Sequence, residues 1–264
     1  MSLARTACFF ERIEVLHNRL LNSEVVNQWL TAAEISINGK KLNSSDTIKL
    51  PFVSLSILEF SHLFAVFNGS RVHAQMEKKY GPDGAPPGFY FTIINNKIIQ
   101  NKHKNKLGVY ERQDEKPELY INDMHVDHFF LNEHMAPSLL GTFAFTLCAI
   151  NAHRTGIGKI TLIAAGAGKD ADTGNKRYTQ NCIGYKVWPK LGFNAPIDEA
   201  ETRDYAHLIT CNSVQDVLHT DAAWWEAKGF QRLMGFDLTA TSRSWEKLLS
   251  YVERKLNKPD KNQT

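Results

Sequence analysis

Residues 139–165 read LLGTFAFTLCAINAHRTGIGKITLIAA, and this stretch decides the fold class. Leu139, Leu140, Phe143, Ala144, Leu147, Cys148 and Ile150 cover a broad apolar face at helical spacing, and Gly156 supplies a C-terminal stop. Residues 160–165 are then almost continuously apolar, as expected of a strand covered on both sides. Residues 119–131, upstream, are rich in β-formers. The order is strand, helix, strand, with a crossover long enough to join parallel neighbours. The fold class is therefore α/β.

Working outward, residues 89–94 and 97–100 read as strands joined at Asn95-Asn96, which tolerate positive φ and suit a hairpin. A third strand is expected at 107–112. The Pro/Gly cluster at 81–88 continues neither regular structure and is a loop or linker. It separates a mixed, mostly helical region, 1–80, from a region of different rhythm, 81–256, with a polar tail at 257–264. Within 8–34, Phe9, Ile13, Leu16, Leu20 and Leu21 share a helical face, and Ser23 is placed to cap a second helix carrying Val26, Trp29 and Leu30. Residues 38–46 are turn-rich, and 51–67 suit a strand followed by a helix. Towards the C-terminus, Ser213 caps a helix that runs to Gly229, 233–238 is a strand, and a last helix from Ser242 or Ser244 presents Trp245, Leu248, Leu249, Val252 and Leu256.

The composition narrows the function classes. Of 264 residues, 43% are hydrophobic and 22% charged, enough for a proper core. The 31 basic and 28 acidic residues leave a formal charge of +3, too balanced for nucleic acid as the main partner. Cys8, Cys148, Cys182 and Cys211 lie far apart without a C-x-x-C pair, so reduced thiols and no metal site are expected. No apolar run approaches the ~20 residues that span a bilayer. A secretory apolar segment is lacking near Arg5, Glu11 and Arg12. The expected address is the cytoplasm, with no membrane partner.

Asp123, His125, Asp127, His128, Glu133 and His134 form the densest acid and base cluster. On a regular strand Asp123, His125 and Asp127 share a face and His128 points to the other, a phase that a bulge breaks. Lys97, Lys102, His103, Lys104 and Lys106 make a basic hairpin region suited to nucleic acid, to a coenzyme phosphate, or simply to a solvated edge. Gly166-Ala167-Gly168-Lys169 does not meet the phosphate-loop pattern, since Ile163 and Asp170 stand at its glycine and hydroxyl positions. The loop that begins there carries Lys169, Lys176 and Arg177.

Residues 119–196 resemble the GNAT superfamily of N-acyltransferases. The resemblance rests on the strand ending at 125–131, the helix starting near Gly141, the strand at 160–165, and the run at 184–193, whose Gly192-Phe193 ending looks like the family's. It implies a mixed, mostly antiparallel sheet with a central parallel strand pair and flanking helices. It also implies an acyl-CoA-dependent N-acyltransferase that uses acetyl-CoA as co-substrate and a small-molecule or protein amine as acceptor. Carried over, the pantetheine meets Phe129, Phe130 and Leu131, and the pyrophosphate meets Leu139, Leu140, Gly141 and Thr142 at a helix N-terminus. The base is Asp123, His125 or Asp127, and the acid is Tyr185. Ala136 and Leu139 stand where the family's coenzyme loop has a basic or amide residue and a glycine, and Trp188 stands where it often has a tyrosine. Two alternatives follow: a GNAT-type fold used for binding or regulation without catalysis, and an RNA-facing, toxin-like modifier.

Overall fold

The computed structural model describes residues 3–81, 84–99, 103–113, 120–171 and 182–257. The chain forms two compact units. The first comprises Met1–Ile160, Leu238–Thr241 and Val252–Thr264, and the second Thr161–Asp237 and Ser242–Tyr251.

The first unit opens with α1 (Leu3–Leu21) and α2 (Glu24–Trp29), the latter capped by Ser23, whose hydroxyl accepts from the Val26 N–H. A tight hairpin joins β1 (Ser36–Ile37) to β2 (Lys40–Lys41) through Asn38 and Gly39, both at positive φ. β3 (Thr47–Lys49) pairs with β4 (Ser54–Ser56), and α3 (Ile57–Leu63) follows at once, started by a capping box between Ser56 and Glu59. Then come β5 (Arg71–Glu77), β6 (Gly88–Ile94), β7 (Asn105–Gln113), β8 (Tyr120–His128) and α4 (Leu140–Arg154).

The sheet of this unit runs β2-β1-β5-β6-β7-β8. Its pairings are antiparallel except β1 with β5, which is parallel. The chain is therefore mixed α/β with a mostly antiparallel sheet. The Pro/Gly cluster falls between β5 and β6, strands that pair along their length. Strands β1, β2 and β5 bring residues from 1–80 into the same sheet as β6 to β8.

One face of this sheet is sealed. Phe91 of β6 meets Phe60 and Phe64 of α3 at 4.9 and 4.4 Å between ring centroids. Met124 of β8 meets the Cys148 thiol of α4 at 3.7 Å. Eleven of the fifteen residues of α4 are buried, with α1, α2 and α3 packed around it. Burial pushes the Cys148 thiol up to about 12, so it stays an inert thiol. None of the cysteines is in a disulfide. Gly156 ends α4 at φ +79°, and the Gly156 and Ile157 N–H groups bond back to His153 and Ala152.

One expected strand is absent. Residues 96–99 form a turn rather than a strand at 97–100, whose last residue lies outside the described set. Asn95 is the cause. Its side chain accepts from the Lys97 N–H and donates to Asn68 O and Ser70 Oγ, while its carbonyl takes the Ile99 N–H. Ile98 and Ile99 are thereby buried, and the partner of β6 is β7. Similarly, β8 ends at His128, short of the expected Leu131.

The second unit contains β9 (Lys159–Ala167), which begins at the end of the first, then α5 (Gly184–Val187), a 3₁₀ turn over Trp188–Leu191, α6 (Glu199–Thr202), α7 (Val214–Thr220), α8 (Ala222–Lys228), β10 (Phe230–Asp237) and α9 (Arg243–Leu256), whose last turn belongs to the first unit. The helix expected from 213 to 229 is two helices. Asp221 leaves helical geometry and its carboxylate caps α8 by accepting from the Trp224 N–H. Trp225 and Trp245 are fully buried, and Phe193, Phe236 and Trp245 stack edge to face. Gly192 sits at φ +97° with its Cα against the Ser244 carbonyl, where a Cβ would collide. Among the described residues no helix is long and apolar enough to cross a membrane.

Within the first unit His62 is buried, with Nε2 2.9 Å from the Leu30 carbonyl. Burial lowers its pKa from 6.5 to about 4; His17 and Arg154 act in the same direction, and the Leu30 bond and Glu59 oppose them. Because the unfolded chain takes up this proton first, the contribution is full above pH 6.5 and fades as pH falls towards 4, by about 3 kcal/mol. His62→Gln keeps a donor for Leu30 but no titrating group. Its urea midpoint is expected to fall less than the wild type's between pH 7 and pH 5.

Candidate functional site

The opposite face of the first unit's sheet is polar. Residues 71–77 alternate, with Val72 buried and His73 and Gln75 exposed. Register then builds a transverse row on that face: His73 of β5 lies opposite Thr92 of β6, Thr92 opposite Lys106 of β7, and Lys106 opposite His128 of β8.

The last pairing depends on a bulge. Leu107 faces Val126, but Lys106 faces His128, so Asp127 is an extra residue in β8. A regular strand would turn His128 away from Asp127; the bulge brings both to Lys106. Asp127 Oδ2 lies 3.2 Å from Lys106 Nζ, and Asp127 Oδ1 lies 3.2 Å from His128 Nδ1. Glu77 Oε1 holds the same ammonium at 3.0 Å. Burial opposes the charge of Asp127, but the bonds and charges of His128 and Lys106 outweigh it and hold the carboxyl below its ordinary value. Burial likewise works against the Lys106 ammonium, and Glu77 and Asp127 overcome it to hold its pKa above the ordinary value. Asp127 is thus ionised at neutral pH and orients an imidazole, the arrangement a general base needs.

The segment entering β7 completes the site. His103 stacks on the Phe130 ring at 4.2 Å. His73, Gln75, Thr92, His103, Lys104, Lys106 and His128 line an open cleft of about 520 Å³. Gln75 is tied to Glu77 by a 2.6 Å bond.

Asp123, His125 and Asp127 do share β8, but their settings differ. Asp123 is 1% exposed, with Oδ2 2.7 Å from Arg112 Nε and Oδ1 fully buried. Burial raises its pKa against the opposing pull of Arg112. His125 is buried opposite Gly108, and burial lowers its pKa, with Asp127 opposing. Neither opens onto the cleft as His128 does.

Beyond β8, the Phe130 N–H is taken by Asn105 Oδ1 at 2.7 Å and the Asn132 N–H by the Ile98 carbonyl at 2.8 Å. Leu139 stands at φ +67° before α4, and among the described residues no side chain caps that end. Gly141 has Leu131 and Phe129 over it: a Cβ there would lie 3.2 Å from Leu131 Cδ1 and 3.7 Å from Phe129 Cε1. Leu140 is buried, and Thr142 gives its carbonyl to the Thr146 hydroxyl. Tyr185 belongs to the second unit, where its hydroxyl donates to the Glu226 carbonyl at 2.9 Å and burial raises its pKa. Lys102, Lys176 and Arg177 lie outside the described residues. Among the described residues no group of three or more His, Cys, Asp or Glu is placed to hold a metal ion.

No protein-family model, curated protein or solved structure matches this chain. The site therefore rests on its geometry. His73 and Thr92 are members that sequence reading passes over. The alternation in 71–77 is the one local signal for His73; nothing local marks Thr92.

The Arg112–Asp123 pair has a checkable consequence. Arg112→Met removes the main cation beside the buried carboxylate, leaving it Lys159 alone, and is expected to cost about 1 to 3 kcal/mol at pH 7. A neutral carboxyl needs no cation, so the deficit shrinks near pH 4. Denaturant midpoints of both proteins at the two pH values measure it.

Proposed function

We propose that this chain is an acyl-CoA-dependent N-acyltransferase, with acetyl-CoA as acyl donor and an amine as acceptor. The observation that carries the reading is the Asp127–His128 pair, a carboxylate-oriented imidazole at a polar cleft. An ammonium acceptor must lose a proton before it attacks, and His128 is the group to take it, with Asp127 stabilising the imidazolium. The amine nitrogen then bonds to the thioester carbonyl carbon, the C–S bond breaks, and the departing thiolate takes up a proton. The uncapped first turn of α4, at Gly141 and Thr142, supplies N–H groups and a favourable dipole for the coenzyme's pyrophosphate. The resemblance of 119–196 to the GNAT superfamily supports the same chemistry.

A second reading, a GNAT-type fold that binds or regulates without transfer, is favoured by the N–H groups of Phe130 and Asn132. Both are bonded inside the chain at the segment that would meet pantetheine.

Calorimetric titration with acetyl-CoA separates the two. Transfer predicts micromolar binding in the wild type and its loss in Thr142→Glu, which suits a helix start but repels pyrophosphate. It also predicts that His128→Gln binds acetyl-CoA normally while turnover of an accepted amine falls about 100-fold or more. A folded wild type that does not bind acetyl-CoA would leave only the second reading.

A further inference from the structure

The cleft also indicates what kind of acceptor it takes, an inference that rests on the acyltransferase reading. Its donors are arranged in a distinctive way. The registered row His73, Thr92, Lys106, His128 crosses adjacent strands, so its ends stand about 14 Å apart at ordinary strand spacing. The two ends differ in chemistry. At the His128 end the cations are answered, since Lys106 is held by both Glu77 and Asp127. At the other end the side chains of His73, Thr92 and Lys104 make no hydrogen bond or ion pair within the described residues. His103 stacks on Phe130, whose ring lies 6.0 Å from that of His128, so it belongs to the His128 end of the cleft.

An ammonium, an imidazole and a hydroxyl, from the segment before β7, from β5 and from β6, line one volume at this end. That suits a tetrahedral dianion with three free oxygens. A planar carboxylate is best matched by the fork of an arginine, and among the described residues no arginine lines the cleft. We propose that His73, Thr92 and Lys104 bind the phosphate monoester of a small phosphorylated amine, whose amino group reaches His128 at the far end of the row. The spacing sets an acceptor in which roughly 10 Å, about two strand spacings, separate phosphate from amine.

The first test is an NMR titration of the full chain with inorganic phosphate, following the imidazole resonances. A saturable shift at His73, larger than any at His103, is expected, and Lys104→Met and His73→Asn should each weaken binding about tenfold. Equal binding of acetate, or no response at His73, would overturn the site. The source of the phosphate is then read by competition. Displacement by acetyl-CoA but not by its 3′-dephospho form would give the cleft to the coenzyme and overturn the acceptor assignment. Displacement by neither supports it. A single-stranded RNA that competes as well as phosphate, with steep salt dependence, would overturn it in favour of a nucleic-acid surface. Phosphate binding does not require acyl transfer, so a phosphate site without acetyl-CoA binding, or the reverse, shows which of the two readings has failed.

Discussion

The first unit depends on the burial of α4. The helix has almost no polar face, so water is unfavourable on every side, and it must be enclosed. β8 covers it through Met124, and α1, α2 and α3 close the rest. This requirement explains why so much of the N-terminal third is helical and why its strands join the common sheet. It also leaves the opposite face of the sheet without a covering layer of these helices. Polar side chains can therefore occupy that face, and a cleft can form there.

On that face the organising feature is a single inserted residue. Asp127 shifts the phase of β8 by one, and the shift decides which side chains meet. With it, one carboxylate bonds both an ammonium and an imidazole across adjacent strands. Glu77 from β5 adds a second carboxylate to Lys106, so the charges at this end of the cleft are mutually satisfied. Asp123 and His125, four and two residues before the bulge, are buried instead, with Asp123 committed to Arg112. Neighbouring residues of one strand thus divide between a structural ion pair and a cleft wall.

Much of the architecture was legible because its causes are local. Ser23 and Ser213 cap the helices that follow them, and Gly156 ends α4. Other features failed to show because the competing interaction is distant or subtle. Asn95 converts 96–99 into a turn by reaching Asn68 and Ser70, residues of another segment. Asp221 splits a continuous apolar pattern because its side chain caps the second half better than its backbone continues the first. The candidate site was legible only in part. The cluster around Asp127 stood out, yet its division between buried and cleft-facing residues did not.

By itself, the sequence determined the α/β class, the buried helix and the helix caps, since periodicity and capping act over a few residues. Only the tertiary structure decided the row from His73 to His128 and the cleft it lines. Strand register joins residues far apart in the chain, and one inserted residue reverses which face a side chain occupies, so no local pattern carries that information.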